Sequence, residues 1–292
     1  MNRRQLAKTL LQASLGAAAM PFSAHGGAVP PRAQRFSCML WALEEHAPFD
    51  HCLEIVAQAG YQGVELVGEF QKWSPQETRR VIARVRALGL MIDAMSGVKA
   101  GFAVPGESAA FFDQFADHLR SAQELGCLRV ILLSGPSVEG LGAKTQRATA
   151  VENLSRAAEM AVKAGVDIVI ESIDPLENPR IFLQSVTEGF AIARAVNQPN
   201  LKVLYDFYHE QRGFGNLLEK LEHNIDWVGL VHVADVPGRH EPGTGEIRYD
   251  AVFRKLAELK YGGWIAMEYY PTRDAVASLR EARLAAMRAM SS

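Results

Sequence analysis

The stretch Asp167-Ile168-Val169-Ile170-Glu171 and the next apolar run, Leu201-Lys202-Val203-Leu204-Tyr205-Asp206, decide how the chain is to be read. Both are apolar at nearly every position, the pattern of parallel strands covered by helices, and both end on a carboxylate. Working outward, comparable runs occur at 36–43, 63–67, 91–95, 129–133, 227–233 and 264–267, which with 167–170 and 202–205 gives eight strand candidates. Segments with helical periodicity lie between them at 49–59, 75–88, 109–125, 144–164, 187–196, 216–223 and 249–259, and 274–290 closes the chain. Eight strand-helix repeats over this length predict a single-domain α/β protein, a (β/α)8 TIM barrel over 31–292, in preference to an open sheet.

Composition narrows the function. The 292 residues are 48% hydrophobic and 22% charged, enough for a large core, and a formal net charge of -2 offers no general attraction to a nucleic-acid backbone. Cys38, Cys52 and Cys127 form no CxxC and are odd in number, so neither a zinc knuckle nor a disulfide framework is implied. The glycine signatures of dinucleotide and P-loop sites are missing, and Pro242-Gly243-Thr244-Gly245 reads as a loop turn.

Residues 1–30 read as a leader. Arg3, Arg4 and Lys8 precede an apolar stretch from Leu10 to Met20, followed by small residues around Ser23, Ala24 and Ala28. Asn2-Arg3-Arg4-Gln5-Leu6-Ala7-Lys8 resembles the twin-arginine export motif, with Ala7 where Leu is usual. The apolar stretch is too short for a permanent span. The expectation is therefore export by the twin-arginine machinery, to the periplasm in a cell with two membranes, with no stable membrane anchor and with self-association left open.

In a barrel of this kind, chemistry sits where strands end at their carboxyl side. Four consecutive predicted strands end there in ionisable groups: Glu171, Asp206, His232 and Glu268. Buried carboxylates are costly unless paired or metal-bound, and three of them converging with an imidazole call for a cation. Oxygen ligands with one nitrogen point to manganese, magnesium or cobalt in an open octahedral site, whose two remaining positions suit adjacent oxygens of a hydroxy-carbonyl substrate. Glu65 ends the second strand and reads equally as an orienting group or an ion-pair partner. Trp41, Phe207 and Tyr208 read equally as pocket wall and as core.

Five segments carry a family resemblance: 169–175, 205–212, 232–235, 241–247 and 263–269. Through them the chain resembles the xylose-isomerase-like barrels, and within these the hydroxypyruvate isomerases; the resemblance covers roughly 36–271. It implies Glu171, Asp206, His232 and Glu268 as metal ligands, Glu171 and Glu268 as proton-transfer groups, and His209 and Arg239 as contacts to substrate oxygens. A substrate carboxylate would be met by Arg239 or Arg212. The implied reaction is isomerisation of hydroxypyruvate to tartronate semialdehyde through an enediolate. Two departures bear on substrate: His232 stands where some hydroxypyruvate isomerases have Gln and ketose epimerases have His, and 91–96 lacks a His that relatives place near the site. A ketose 3-epimerase is the alternative within the family. A lyase or endonuclease on abasic DNA would need a richer His cluster and a basic groove, and a non-catalytic binding protein would show no hydrogen exchange at substrate carbon.

Overall fold

The computed structural model describes residues 34–45 and 47–292; the predicted leader and His46 lie outside the described residues. Its eight strands are β1 (Arg35–Met39), β2 (Gly63–Val67), β3 (Met91–Ser96), β4 (Arg129–Leu133), β5 (Asp167–Glu171), β6 (Leu201–Asp206), β7 (Val228–Val233) and β8 (Trp264–Met267). All neighbours pair in parallel, and β8 returns to β1 to close the barrel. The helices are α1 (Trp41–Glu44), α2 (Phe49–Gln58), α3 (Pro75–Ala87), α4 (Ser108–Leu125), α5 (Ala143–Ala164), α6 (Val186–Val196), α7 (Phe207–Gly213), α8 (Leu217–Asn224), α9 (Tyr249–Glu258) and α10 (Ala275–Met290). The expected (β/α)8 architecture is the observed one.

Two apolar layers hold it. Outward-facing strand residues such as Val203, Tyr205, Val231 and Ile265 pack under the helices in one continuous core. Inward-facing Val169, Leu204, Leu230, Trp264 and Ala266 form a second cluster that fills the barrel. Side chains alternate along a strand, so the residue two beyond each inner one also points inward. Those residues are Glu171 after Val169, Asp206 after Leu204, His232 after Leu230 and Glu268 after Ala266. Register fixes their height, with Asp206 opposite His232 and His232 opposite Ala266.

Two elements depart from the sequence reading. The run 36–43 splits into β1 and α1, where Ala42 and Leu43 are buried on a helical turn; an unbroken apolar run does not distinguish a strand from a buried helix. The residues after β6 form α7, because the Asp206 carboxylate accepts from the Tyr208 and His209 amides and caps the first turn.

Candidate metal and substrate site

Glu171, Asp206, His232 and Glu268 come together at the carboxyl mouth of the barrel, each offering one ligand atom, all within 4.8 Å of one another. Opposite ligands of a single ion at about 2.1 Å would be about 4.2 Å apart, so the observed limit of 4.8 Å lies only about 0.6 Å beyond what one hard divalent cation with these donors requires. Asp206, His232 and Glu268 are buried.

Both nitrogens of His232 meet carboxylates. Nδ1 lies 2.9 Å from Glu268 Oε2 and Nε2 lies 2.8 Å from Glu65 Oε2. Burial pushes the imidazole down, but Glu65 and Glu268 outweigh it and hold its pKa well above the ordinary value. Glu65 is fully buried inside the barrel, with Ser37 Oγ at 3.5 Å from its other oxygen. Its geometry is that of a carboxylate that fixes the orientation of an imidazole.

Arg239 is the second buried cation. Its Nη2 lies 2.9 Å from Glu268 Oε2 and 3.8 Å from Asp206 Oδ2, and its Nη1 donates to Glu177 Oε1 at 3.1 Å. The guanidinium carbon lies over the rings of Trp41 and Tyr208, 5.2 and 4.9 Å from their centroids, and its buried Nε has no hydrogen-bond partner among the described residues. Burial pushes Glu268 up, yet Arg239 and then His232 bring its carboxyl well below the usual range. Burial and the Glu268 charge instead push Glu171 up to about 8. The repulsion expected among the three carboxylates is thus partly met by Arg239 and His232, and the case for a metal rests on donor type and spacing.

His209 sits on the first turn of α7, buried, with Nδ1 2.8 Å from Asp174 Oδ2 and Nε2 3.6 Å from Asp206 Oδ2. Burial lowers its pKa, but Asp206, Asp174 and Glu171 together bring it up to about 9. Arg212, one helical turn on, donates to Glu177 Oε2 and to the Tyr208 hydroxyl, both at 3.0 Å. It lies beside the site and is engaged with Glu177 and, at 3.4 Å, Asp174.

All seven predicted site residues therefore gather around one mouth. One participant was given no place in it from sequence, and two were left between alternatives. Glu177 bridges Arg212 and Arg239 from the loop after β5, where no strand end marks it. Trp41 donates its indole N–H to Glu268 Oε1 at 2.9 Å, which makes it part of the site wall. Glu65, expected to end the second strand, is instead the middle residue of β2; it and its partner His232 were both visible in the sequence, but nothing local joins residues that far apart. Phe207 is buried in the outer core, while Tyr208 faces both arginines.

A closed eight-stranded barrel with three carboxylates and a histidine at its carboxyl mouth defines a class of metal-compatible TIM-barrel proteins. The profile of the xylose isomerase-like TIM barrel family matches residues 53–289, and the chain belongs to that family. It is 33% identical over 251 residues to hydroxypyruvate isomerase of Escherichia coli K12, covering 84% of this chain and 97% of the relative. It is also 33% identical over 250 residues to 2-oxo-tetronate isomerase of Cupriavidus necator, covering 84% and 96%. Among solved structures, an AP endonuclease, family 2, from Brucella melitensis superposes with a TM-score of 0.78 at 27% identity, covering 84% of this chain and 96% of that one. D-psicose 3-epimerase from Clostridium cellulolyticum, at 18% identity and a TM-score of 0.71 over 87% and 97%, shares the fold.

Proposed function

We propose that this isomerase interconverts a small 2-keto acid and its hydroxy-aldehyde, hydroxypyruvate and tartronate semialdehyde. We place the reaction at Glu171, Asp206, His232 and Glu268, which would hold one divalent ion, manganese, magnesium or cobalt. The observation that carries the reading is the buried Arg239 guanidinium, lying over the rings of Trp41 and Tyr208 beside Glu268. A keto acid brings a carboxylate that such a cation can bind, and a neutral ketose does not.

The bound ion would supply Lewis acidity toward the adjacent oxygens of the substrate. Isomerisation needs a proton removed from C3 of hydroxypyruvate and a proton returned to C2, with the electron pair of the C3–H bond passing through an enediolate. Nothing is oxidised or reduced in the net reaction. In this reading Glu171 and Glu268 carry those protons, each needing hydrogen-bond reach of a substrate carbon. His209, kept in one orientation by Asp174, and Arg239 meet the substrate oxygens. Trp41 and Tyr208 exclude water around the guanidinium.

The test is turnover of hydroxypyruvate by the purified protein with manganese, run in deuterated water. Tartronate semialdehyde carrying deuterium at C2 is expected, and Glu171→Gln and Glu268→Gln should each lower kcat by at least about 100-fold. Turnover of a ketose in place of hydroxypyruvate would establish the epimerase reading, which His232 favours. Near-normal activity of either variant would remove the two-carboxylate mechanism.

A further inference from the structure

The mouth of the barrel is wider than the reaction requires. On the side of β2 to β5 a cavity of about 650 Å³ opens beside Glu171. Glu171 is the site residue that lines it and Arg239 does not, so a three-carbon acid gripped at Arg239 would leave most of this space unfilled, and cavities of about 300–1,000 Å³ hold much larger ligands. Among the described residues three cationic side chains line this space, Lys72, Lys99 and Arg180, and Glu171 is the one carboxylate on its wall. All three cations are exposed, and none forms an ion pair among the described residues. Lys99 also borders the neighbouring groove with Asp117 and Glu124 and pairs with neither. The contrast with Arg212 and Arg239 is direct, because both of those already face carboxylates.

The backbone that carries two of these cations is held in place. Gln114 Oε1 accepts from the Lys99 and Ala100 amides at 2.8 and 3.1 Å, and Gln71 Nε2 donates to the Gly97 carbonyl at 2.9 Å. The Arg180 carbonyl accepts from the Ser137 amide at 2.6 Å, and its own amide donates to Asn178 Oδ1 at 3.2 Å. Gly101 and Gly135 bring the two loops together: a Cβ at Gly101 would stand 2.4 Å from Gly135 Cα. The cations therefore project from fixed loops over a space continuous with Glu171.

We infer that the substrate is a 3-hydroxy-2-oxo acid longer than three carbons that ends in a second anionic group, phosphate or carboxylate, received by Lys72, Lys99 and Arg180. This inference rests on the keto-acid isomerase reading and adds its substrate class. The first carboxylate lies at Arg239, the reacting carbons lie between Glu171 and Glu268, and the distal anion reaches the β2-to-β5 side of the mouth.

The experiment compares kcat/KM, with manganese present, for hydroxypyruvate, a four-carbon 3-hydroxy-2-oxo acid ending in a hydroxyl, the same acid ending in phosphate, and a five-carbon acid ending in carboxylate. One or both of the anion-ended acids should exceed the hydroxyl-ended one by at least ten-fold at low salt, and the excess should shrink as salt is raised. The phosphate and carboxylate arms identify which anion is received. In a Lys99→Gln, Arg180→Gln double variant the preference should fall by at least ten-fold, a ratio that a general loss of folded protein would leave unchanged. Equal kcat/KM for the anion-ended and hydroxyl-ended acids, or a preference that the double variant retains, overturns the inference while leaving hydroxypyruvate turnover and the isomerase reading standing. Turnover of none of these acids overturns both.

Discussion

His232 has a carboxylate on each side, and the two have different consequences. Glu268 shares the metal-compatible cluster, whereas Glu65 lies below it, buried, and meets Nε2 at 2.8 Å. With Nε2 bonded to Glu65, Nδ1 is the nitrogen turned toward the other ligands, so Glu65 selects the face of the ring that a cation would meet. Glu65→Leu should weaken manganese affinity by about 10–100-fold in a binding titration, while Glu65→Gln, which keeps an acceptor for Nε2, should weaken it less. Equal affinity in wild type and the Leu variant would show that the ring needs no such support. Arg239 poses the complementary question about substrate. Arg239→Ala should reduce kcat/KM for hydroxypyruvate by a factor worth about 2–5 kcal/mol, because it strands a buried carboxylate. A neutral ketose that loses only an ordinary hydrogen bond should suffer about 0.5–1.5 kcal/mol. Equal losses for the two substrates would remove Arg239 as the acid-binding residue.

The loop after β7 shows how an element delivers one side chain. Asp235 accepts from the amides of Val236, Gly243, Gly245 and Ile247, so a single carboxylate gathers the 236–247 segment that includes Arg239. Gly245 sits where a Cβ would stand 1.8 Å from the Val236 carbonyl oxygen. Gly245→Ala should therefore displace this loop and lower hydroxypyruvate turnover more than it lowers the melting temperature, measured side by side. The turn after β2 carries a pH dependence. Burial and the neighbouring Glu44 carboxylate push Glu69 up from 4.5 to about 7. A carboxyl raised in the folded state favours folding while protonated, and that contribution is lost as pH rises from the ordinary Glu range through about 7. With one unit worth about 1.4 kcal/mol and solvent screening at this partly exposed site, the loss is about 1–2 kcal/mol. Thermal melts at about pH 5 and pH 8 should show a smaller fall for Glu69→Gln than for wild type. Such elements were only partly legible in the sequence. The strand ends at Glu171, Asp206, His232 and Glu268 were readable because strand periodicity and a terminal charge are local signals. α1 stayed hidden in an unbroken apolar run, and α7 was missed although Asp206 is a recognisable capping residue, because the carboxylate was read solely as a ligand. Glu177 and the Glu65–His232 contact depend on which loops and strands closure brings together, and no local pattern encodes that.

At the scale of the whole molecule, the repeat of strand and helix made the barrel legible, since β-α alternation leaves little choice of connection for parallel strands. Residues 1–30 are a separate matter: no helix among the described residues is long and apolar enough to cross a membrane, and the segment expected to be a leader lies outside them. We propose twin-arginine export, and replacing Arg3 and Arg4 with Lys should leave full-length precursor in the cytoplasm; normal export of that variant would point to another route. The twin-arginine route carries folded proteins, so whether the barrel stands without the proposed ion matters. Arg239, His209 and His232 all lie within reach of the ligand carboxylates, which lowers their mutual repulsion. Chelator-treated protein should therefore still melt cooperatively, with the metal adding stability by preferential binding to the folded state. An ion present at about 100 times its dissociation constant adds about 2.7 kcal/mol. At about 2–4 °C per kcal/mol for a domain of this size, manganese should raise the melting temperature by roughly 5–10 °C. Asp206→Asn should reduce that rise by weakening a ligand, whereas Arg212→Gln, which alters a cation outside the four ligands, should largely retain it. A chelator-treated protein that melts without a cooperative transition would mean that these cations do not offset the carboxylates. A wild-type melting temperature insensitive to manganese, together with no metal found by elemental analysis, would remove the ion from the site altogether.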